Sequence, residues 1–175
     1  MKKSNYVSNS FAYLALASGT IWFGGYVARL LVTFQLFEPV DLSLKSFITN
    51  SNFPAIILAI HPLVNLTFFT YLVFVVFFSL YLISTRLIFK QNGWLFIITM
   101  IVYLTLPFEV VLMLIDYKLI ILFLESNFSS GEILQLITKR ITTLNSFPII
   151  LLLCYLAIPY FLVFKPYTLS SKNEN

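Results

Sequence analysis

Five polar or ionisable residues stand inside long apolar runs, and these are where chemistry would be done. Arg29 interrupts the first run, His61 and Asn65 open the second, and Glu109 and Asp116 interrupt the third. If those runs cross a bilayer, a charge near its centre costs about 2.5–3.5 kcal/mol. Residues that carry such a cost mark the place to look for function. Glu109 and Asp116 are seven residues apart, nearly two helical turns, and so share a face. His61 and Asn65 are four apart and are also neighbours on a helix. Arg29 paired with Glu109 or Asp116, with His61 and Asn65 lining the mouth, has the parts to hold an anion, pass a proton, or bind a metal or cofactor. The plainer reading is a structural ion pair, Arg29 with Glu109, tying two helices together. Buried ions usually pair, and pairing alone is not function.

Other chemistries lack their residues. The chain has one histidine, so one copy cannot hold a haem between two histidines. A haem or porphyrin would have to use His61 with a methionine, water or another mixed ligand. No His and Cys cluster suits zinc or copper. The motifs H-E-x-x-H and G-x-S-x-G and the P-loop are missing. No catalytic residue and no metal ligand is assigned, and the balance leans away from an enzyme. Cys154 is the one cysteine and lies in the last apolar run; it reads as a small buried hydrophobe. The net charge of +4 does not point to nucleic acid, because the basic residues are scattered near the ends of apolar runs and form no basic face.

The elements that must position these residues follow from hydropathy. The chain is 59% hydrophobic and 10% charged, with a mean hydropathy of +0.92. A soluble fold of this size would leave too much apolar surface exposed. Phe at 19 and Tyr at 10 are also abundant, as expected in lipid and at its interfaces. A hydrocarbon core of about 30 Å needs roughly 20 apolar residues in a helix. Four runs qualify, at 11–37, 62–88, 94–124 and 147–164. The fold expected is an all-α polytopic membrane four-helix bundle, one integral membrane domain over 1–175. The first run follows Lys2 and Lys3 but continues well past Ala15-Leu16-Ala17, so it reads as a retained span rather than a signal peptide. Pro62 is expected to divide the second run, leaving 55–60 as a short interfacial turn; one long kinked helix is the alternative. Pro107 and Pro159 are each expected to kink or locally unwind a helix.

The connections carry two amphipathic pieces. One is 42–48. The other lies within 126–146, where Ser129 and Glu132 have capping-box spacing and Ile133, Ile137, Ile141 and Leu144 recur at helical spacing. It reads as a short interfacial helix before the last span. Residues 90–93 form a tight turn. An even number of spans puts both termini on one side, with Lys2, Lys3, Arg86, Lys90, Lys165 and Lys172. Lys45, Lys118, Lys139 and Arg140 share the other side with Glu38, Asp41, Glu125 and Glu132. The positive-inside rule then favours cytoplasmic termini, as in a bacterial inner membrane. Asn127-Phe128-Ser129 matches a glycosylation acceptor, a triplet common by chance. At about 1.5 Å per residue, Arg29, His61, Asn65, Glu109 and Asp116 all fall in the outer half, within roughly two turns of one another in depth.

The first helix is rich in small residues. Ala15 and Gly19, and Gly24 and Ala28, are each four apart, and Gly25 lies between; this spacing permits close helix packing. The stretch Ile21-Trp22-Phe23-Gly24-Gly25, then Arg29-Leu30-Leu31, resembles the opening helix of the CopD-like copper-resistance membrane domain and related uncharacterised four-helix membrane families. Arg140-Ile141-Thr142-Thr143-Leu144-Asn145 is similar to the arginine and Leu-Asn pair that those relatives carry before the last helix. The resemblance covers most of the chain in layout and these two motifs in residues. It implies a four-helix membrane architecture. Copper handling would want several histidines or methionines, where this chain has His61 and three methionines. The bacterial four-helix protoporphyrinogen oxidases have a similar first helix but place a key histidine one or two turns earlier. This chain reads Tyr13-Leu14-Ala15-Leu16 there. No catalytic residue carries over from either family.

Three functions compete. The first is an accessory or binding subunit in the lipid bilayer, packed on other membrane subunits or on a second copy. The second is a haem-, porphyrin- or metal-handling membrane protein using His61. The third is a small proton or ion transporter using Arg29, Glu109 and Asp116.

Overall fold

A computed structural model describes residues 2–38, 43–49, 51–85, 87–124, 129–143 and 147–169, without the side chains of 2–5 and 130. Pro39, Asp41, Leu42, Arg86, Glu125, Asn127, Phe128, Leu144, Asn145 and Lys172, and the side chains of Lys2 and Lys3, lie outside the described residues. Five helices follow in order: α1 Lys2–Leu36, α2 Phe53–Ser84, α3 Gly93–Leu124, α4 Ser130–Thr143 and α5 Phe147–Phe164. No strand forms among the described residues. There are only isolated antiparallel bridges, at Phe37–Leu44 and Asn92–Thr168. Residues Tyr6–Leu36 of α1, and the whole of α2, α3 and α5, are long and apolar enough to cross a membrane. The architecture is therefore the expected all-α membrane bundle, with the short amphipathic α4 before the last span.

The second span departs from expectation. Pro62 does not divide it; α2 is one helix from Phe53, with Pro54 in its first turn. The reason is the buried seam. Phe53, Ile57, Ile60, Val64, Thr67, Tyr71, Phe74 and Phe78 alternate steps of four and three without a break. Pro62 and Leu58, whose carbonyl loses its N–H partner, both lie on the exposed side. Packing of the early turns against Leu119, Ile120, Ile133 and Ile137 outweighs the local cost. The span also stops at Ser84 rather than 88: Thr85 turns extended, and its N–H caps the Tyr81 carbonyl at 2.8 Å. Nor do Pro107 and Pro159 unwind their helices, which stay continuous through both.

The long antiparallel pair α1 and α2 forms the main contact, and α3 packs against α2, α4 and α5. α4 and α5 divide the length of α3 between them. Arg140 of α4 meets Asp116 eight residues before the end of α3. Phe147 at the start of α5 stacks on Phe108 at 4.5 Å between centroids. Tyr155 reaches Thr105, and Lys165 sits 5.6 Å from the Trp94 ring centre. Alone, α4 is about 21 Å long and cannot cross a core of about 30 Å. Its buried Ile133 and Ile137 join the core with α2 and α3. Beyond α5, the Gly93 N–H donates to the Tyr167 carbonyl, and a side chain at Gly93 would meet Tyr167 Cβ at 2.7 Å. Only glycine permits that approach.

The small residues of α1 separate by face. A Cβ on Gly19 would meet the Phe74 ring at 2.9 Å, and one on Gly25 would meet Thr67 at 3.0 Å. Gly24 has open space around it, and Gly24 and Ala28 lie on the exposed side. Gly19→Leu is therefore expected to lower the thermal unfolding midpoint in detergent, at a cost of about 1–3 kcal/mol from overpacking. Gly24→Leu is expected to stay within about 0.5 kcal/mol of wild type. Equal losses in the two variants would contradict this assignment of faces.

Candidate functional site

The inner face of α1 carries Ala15, Ser18, Trp22, Tyr26 and Arg29, at steps of three and four. The inner face of α3 carries Val102, Thr105, Glu109, Leu112 and Asp116. These two faces and α4 meet at Asp116. Arg29 grips it with both ends of the guanidinium, Nη1 to Oδ2 at 2.8 Å and Nη2 to Oδ1 at 2.5 Å. Arg29 Nη1 also donates to Thr67 Oγ1 of α2, at 3.4 Å. Arg140 comes from α4 and donates Nε to Asp116 Oδ1 at 2.8 Å. One carboxylate thus joins α1 and α4 to α3. The Arg29 and Asp116 side chains are 6% and 3% exposed and that of Arg140 is 13% exposed, so water screens the cluster little. Burial alone would lower the proton affinity of Arg140. The Asp116 and Glu109 carboxylates outweigh it and hold the guanidinium above its ordinary value.

Glu109 is placed differently from the sequence expectation. Arg29 pairs with Asp116 and not with Glu109, because the seven-residue step brings Asp116, not Glu109, level with the guanidinium. Glu109 is 2% exposed and its Oε1 has no hydrogen-bond partner among the described residues. It still lies within electrostatic reach of Arg140, Asp116 and Arg29. One turn earlier, the Thr105 and Tyr155 hydroxyls are 3.3 Å apart.

His61 and Asn65 belong to a separate pair. His61 Nε2 and Asn65 Nδ2 are 3.0 Å apart, and the His61 ring stacks on Phe123 at 4.3 Å. Both are half-buried, and among the described residues neither bonds to Arg29, Glu109 or Asp116. The structure thus brings Arg29 to Asp116, keeps Glu109 close, and sets His61 and Asn65 apart.

Three members of the site went unread in the sequence: Arg140, Tyr26 and Thr67. A signal existed for Arg140. Ile133, Ile137 and Arg140 continue the four-three rhythm of a buried face, and that rhythm points the guanidinium inward. Tyr26 stands one turn before Arg29 on the same face.

Arg29, Arg140, Tyr26 and Thr33 line a cavity of about 40 Å3, whose other walls are apolar side chains such as Ile57, Ile60 and Leu119. The Tyr26 hydroxyl is buried with no hydrogen-bond partner among the described residues. Pro148, in the first turn of α5, borders the cavity and brings the positive end of that helix to it. A cavity of this size has room for a water or for one small polar group. No family model matches the chain, and neither a curated protein nor a solved structure matches it.

Removing the shared carboxylate takes from two buried guanidiniums the only carboxylate that bonds to them among the described residues. Asp116→Asn is therefore expected to cost about 3–5 kcal/mol of stability. Arg140→Gln leaves the two-pronged Arg29 bond intact and is expected to cost less, about 1.5–3 kcal/mol. Thermal unfolding of the purified variants checks the order, and a reversed order would contradict the geometry.

Proposed function

We propose that this chain is an integral membrane binding protein that seats an anionic group in the cavity beside its buried arginines. One observation carries the reading. Two guanidiniums share one carboxylate, so these three residues hold one excess positive charge, and both guanidiniums line the same small cavity. The unpartnered Tyr26 hydroxyl and the start of α5 support it, since each favours a negative occupant. The occupant is the size of a halide or a carboxylate. It enters as a free ion or as the head of an apolar molecule, whose tail the surrounding Leu, Ile and Phe side chains would accept.

The proposal includes a setting. The chain lies in a lipid bilayer, both termini face the cytoplasm as the spread of basic residues supports, and a bacterial inner membrane is the expected location. An accessory role beside other membrane subunits, or a second copy, accords with so short a chain. The CopD-like resemblance adds the four-helix layout and no activity. His61 neighbours Asn65 and the Phe123 ring, away from the arginine cluster, so the haem reading draws no support from that cluster.

The test uses three probes on protein purified in a neutral detergent: 1-octanesulfonate, uncharged 1-octanol and sodium chloride. Octanesulfonate is expected to raise the unfolding midpoint, with about 2.7 kcal/mol of stabilisation at a hundredfold excess over Kd. Octanol is expected to do much less, and Arg140→Gln to remove the difference. A response to chloride alone would assign the site to a free ion. Equal responses to octanesulfonate and octanol, with none to chloride, would overturn the proposal.

A further inference from the structure

The binding reading leaves Glu109 unused. It is a buried carboxyl in the interior of a span, and it has neither an ion pair nor a hydrogen bond on Oε1 among the described residues. Such a group is expensive to keep, and in membranes it marks a functional position.

Its surroundings narrow what it can do. The groups that act on it come from every helix packed around it: Tyr26 and Arg29 from α1, Tyr71 from α2, Arg140 from α4, Tyr155 from α5, and Asp116 on its own helix. Guanidiniums do not release their protons in proteins. Free phenols titrate only near pH ~10. Asp116 cannot take a proton without giving up guanidinium N–H bonds, since both of its oxygens are engaged. Glu109 Oε1 carries no hydrogen bond among the described residues that a proton would displace.

The charges then set a coupling. Arg29, Arg140 and Asp116 sum to one positive charge. An ionised Glu109 cancels it, and a protonated Glu109 leaves it available. The apolar surroundings weaken these interactions little, so an anion and an ionised Glu109 compete for the same excess charge.

We infer that Glu109 is a proton-binding site coupled to the anion seat, so that one proton enters at Glu109 with each monovalent anion. This rests on the binding reading above. The step is balanced: one O–H bond forms at the Glu109 carboxylate as one anion arrives, and the net charge of the cluster with its occupant stays at zero. The linkage is reciprocal, so the anion also raises the hold of Glu109 on its proton. The site is thereby suited to take an anion and a proton together as a neutral pair, which is the form that crosses a low-dielectric interior most readily.

The experiment titrates full-length protein in neutral detergent with 1-octanesulfonate, which stays charged throughout, from about pH 5 to about pH 9. Wild-type affinity is expected to fall with rising pH, approaching about tenfold per unit, the limit for one linked proton. Glu109→Gln is expected to bind with the low-pH affinity at every pH. A second readout needs no variant: in weakly buffered solution, wild-type protein should take up one proton per octanesulfonate bound, reported by a pH-indicator dye. Binding that is independent of pH, with no proton uptake, would overturn the coupling and leave the anion seat standing. A pH slope that survives in Glu109→Gln would also overturn it, and would move the proton elsewhere, His61 first. No binding at any pH would overturn the anion seat and the coupling with it.

Discussion

The structure turns on a single shared carboxylate. Asp116 receives Arg29 from α1 and Arg140 from α4, and Arg29 also touches Thr67 of α2. Four helices are therefore fixed to one another at one depth by charge-assisted bonds. In lipid this matters more than in water, because helices gain little from burying apolar side chains that lipid would cover as well. What specifies position is close packing and polar contact. The long seam of α1 and α2 supplies the first, with Gly19 and Gly25 letting the backbones approach. Asp116 supplies the second.

That constraint explains how α4 and α5 share the length of α3. α4 ends at Thr143 and α5 begins at Phe147. α4 is held against the C-terminal part of α3 by Ile133, Ile137 and the Arg140 bond, while α5 follows the N-terminal part through Phe147 and Tyr155. The cavity lies where these pieces meet α1. Its charge comes from the surplus of arginine over aspartate, and its small size and apolar rim come from the seam of α2. Towards the start of α1, Trp22 packs against Tyr71 and Tyr155, with ring centroids 4.8 and 4.7 Å away.

Much of this was legible in the residues. The four apolar runs reappear as four long helices, because length and hydropathy alone decide what crosses a bilayer. Arg29, Glu109 and Asp116 stood out for the same reason: charges are rare inside such runs. Their pairing was harder to see. Depth counting puts both carboxylates within reach of Arg29; they share a face of α3, so the axial offset of α3 against α1 decides for Asp116. The sequence counts Arg140 among the cations that set the orientation and in the motif before the last helix, although the 133–137–140 spacing puts it on the buried face. Pro62 was read as a divider because local propensity was weighed without the unbroken seam on the opposite side of α2. His61 and Asn65 were grouped with the cluster by depth, but facing is a property of rotation about the helix axis, which depth does not determine.

The Arg140–Asp116 bond links the short helix to the third span. A double-mutant cycle on unfolding stability, built from wild type, Arg140→Gln, Asp116→Asn and the double variant, measures it most directly. The geometry predicts a coupling of about 1.5–3 kcal/mol between the two positions. Additive losses, with a coupling within about 0.5 kcal/mol of zero, would contradict it.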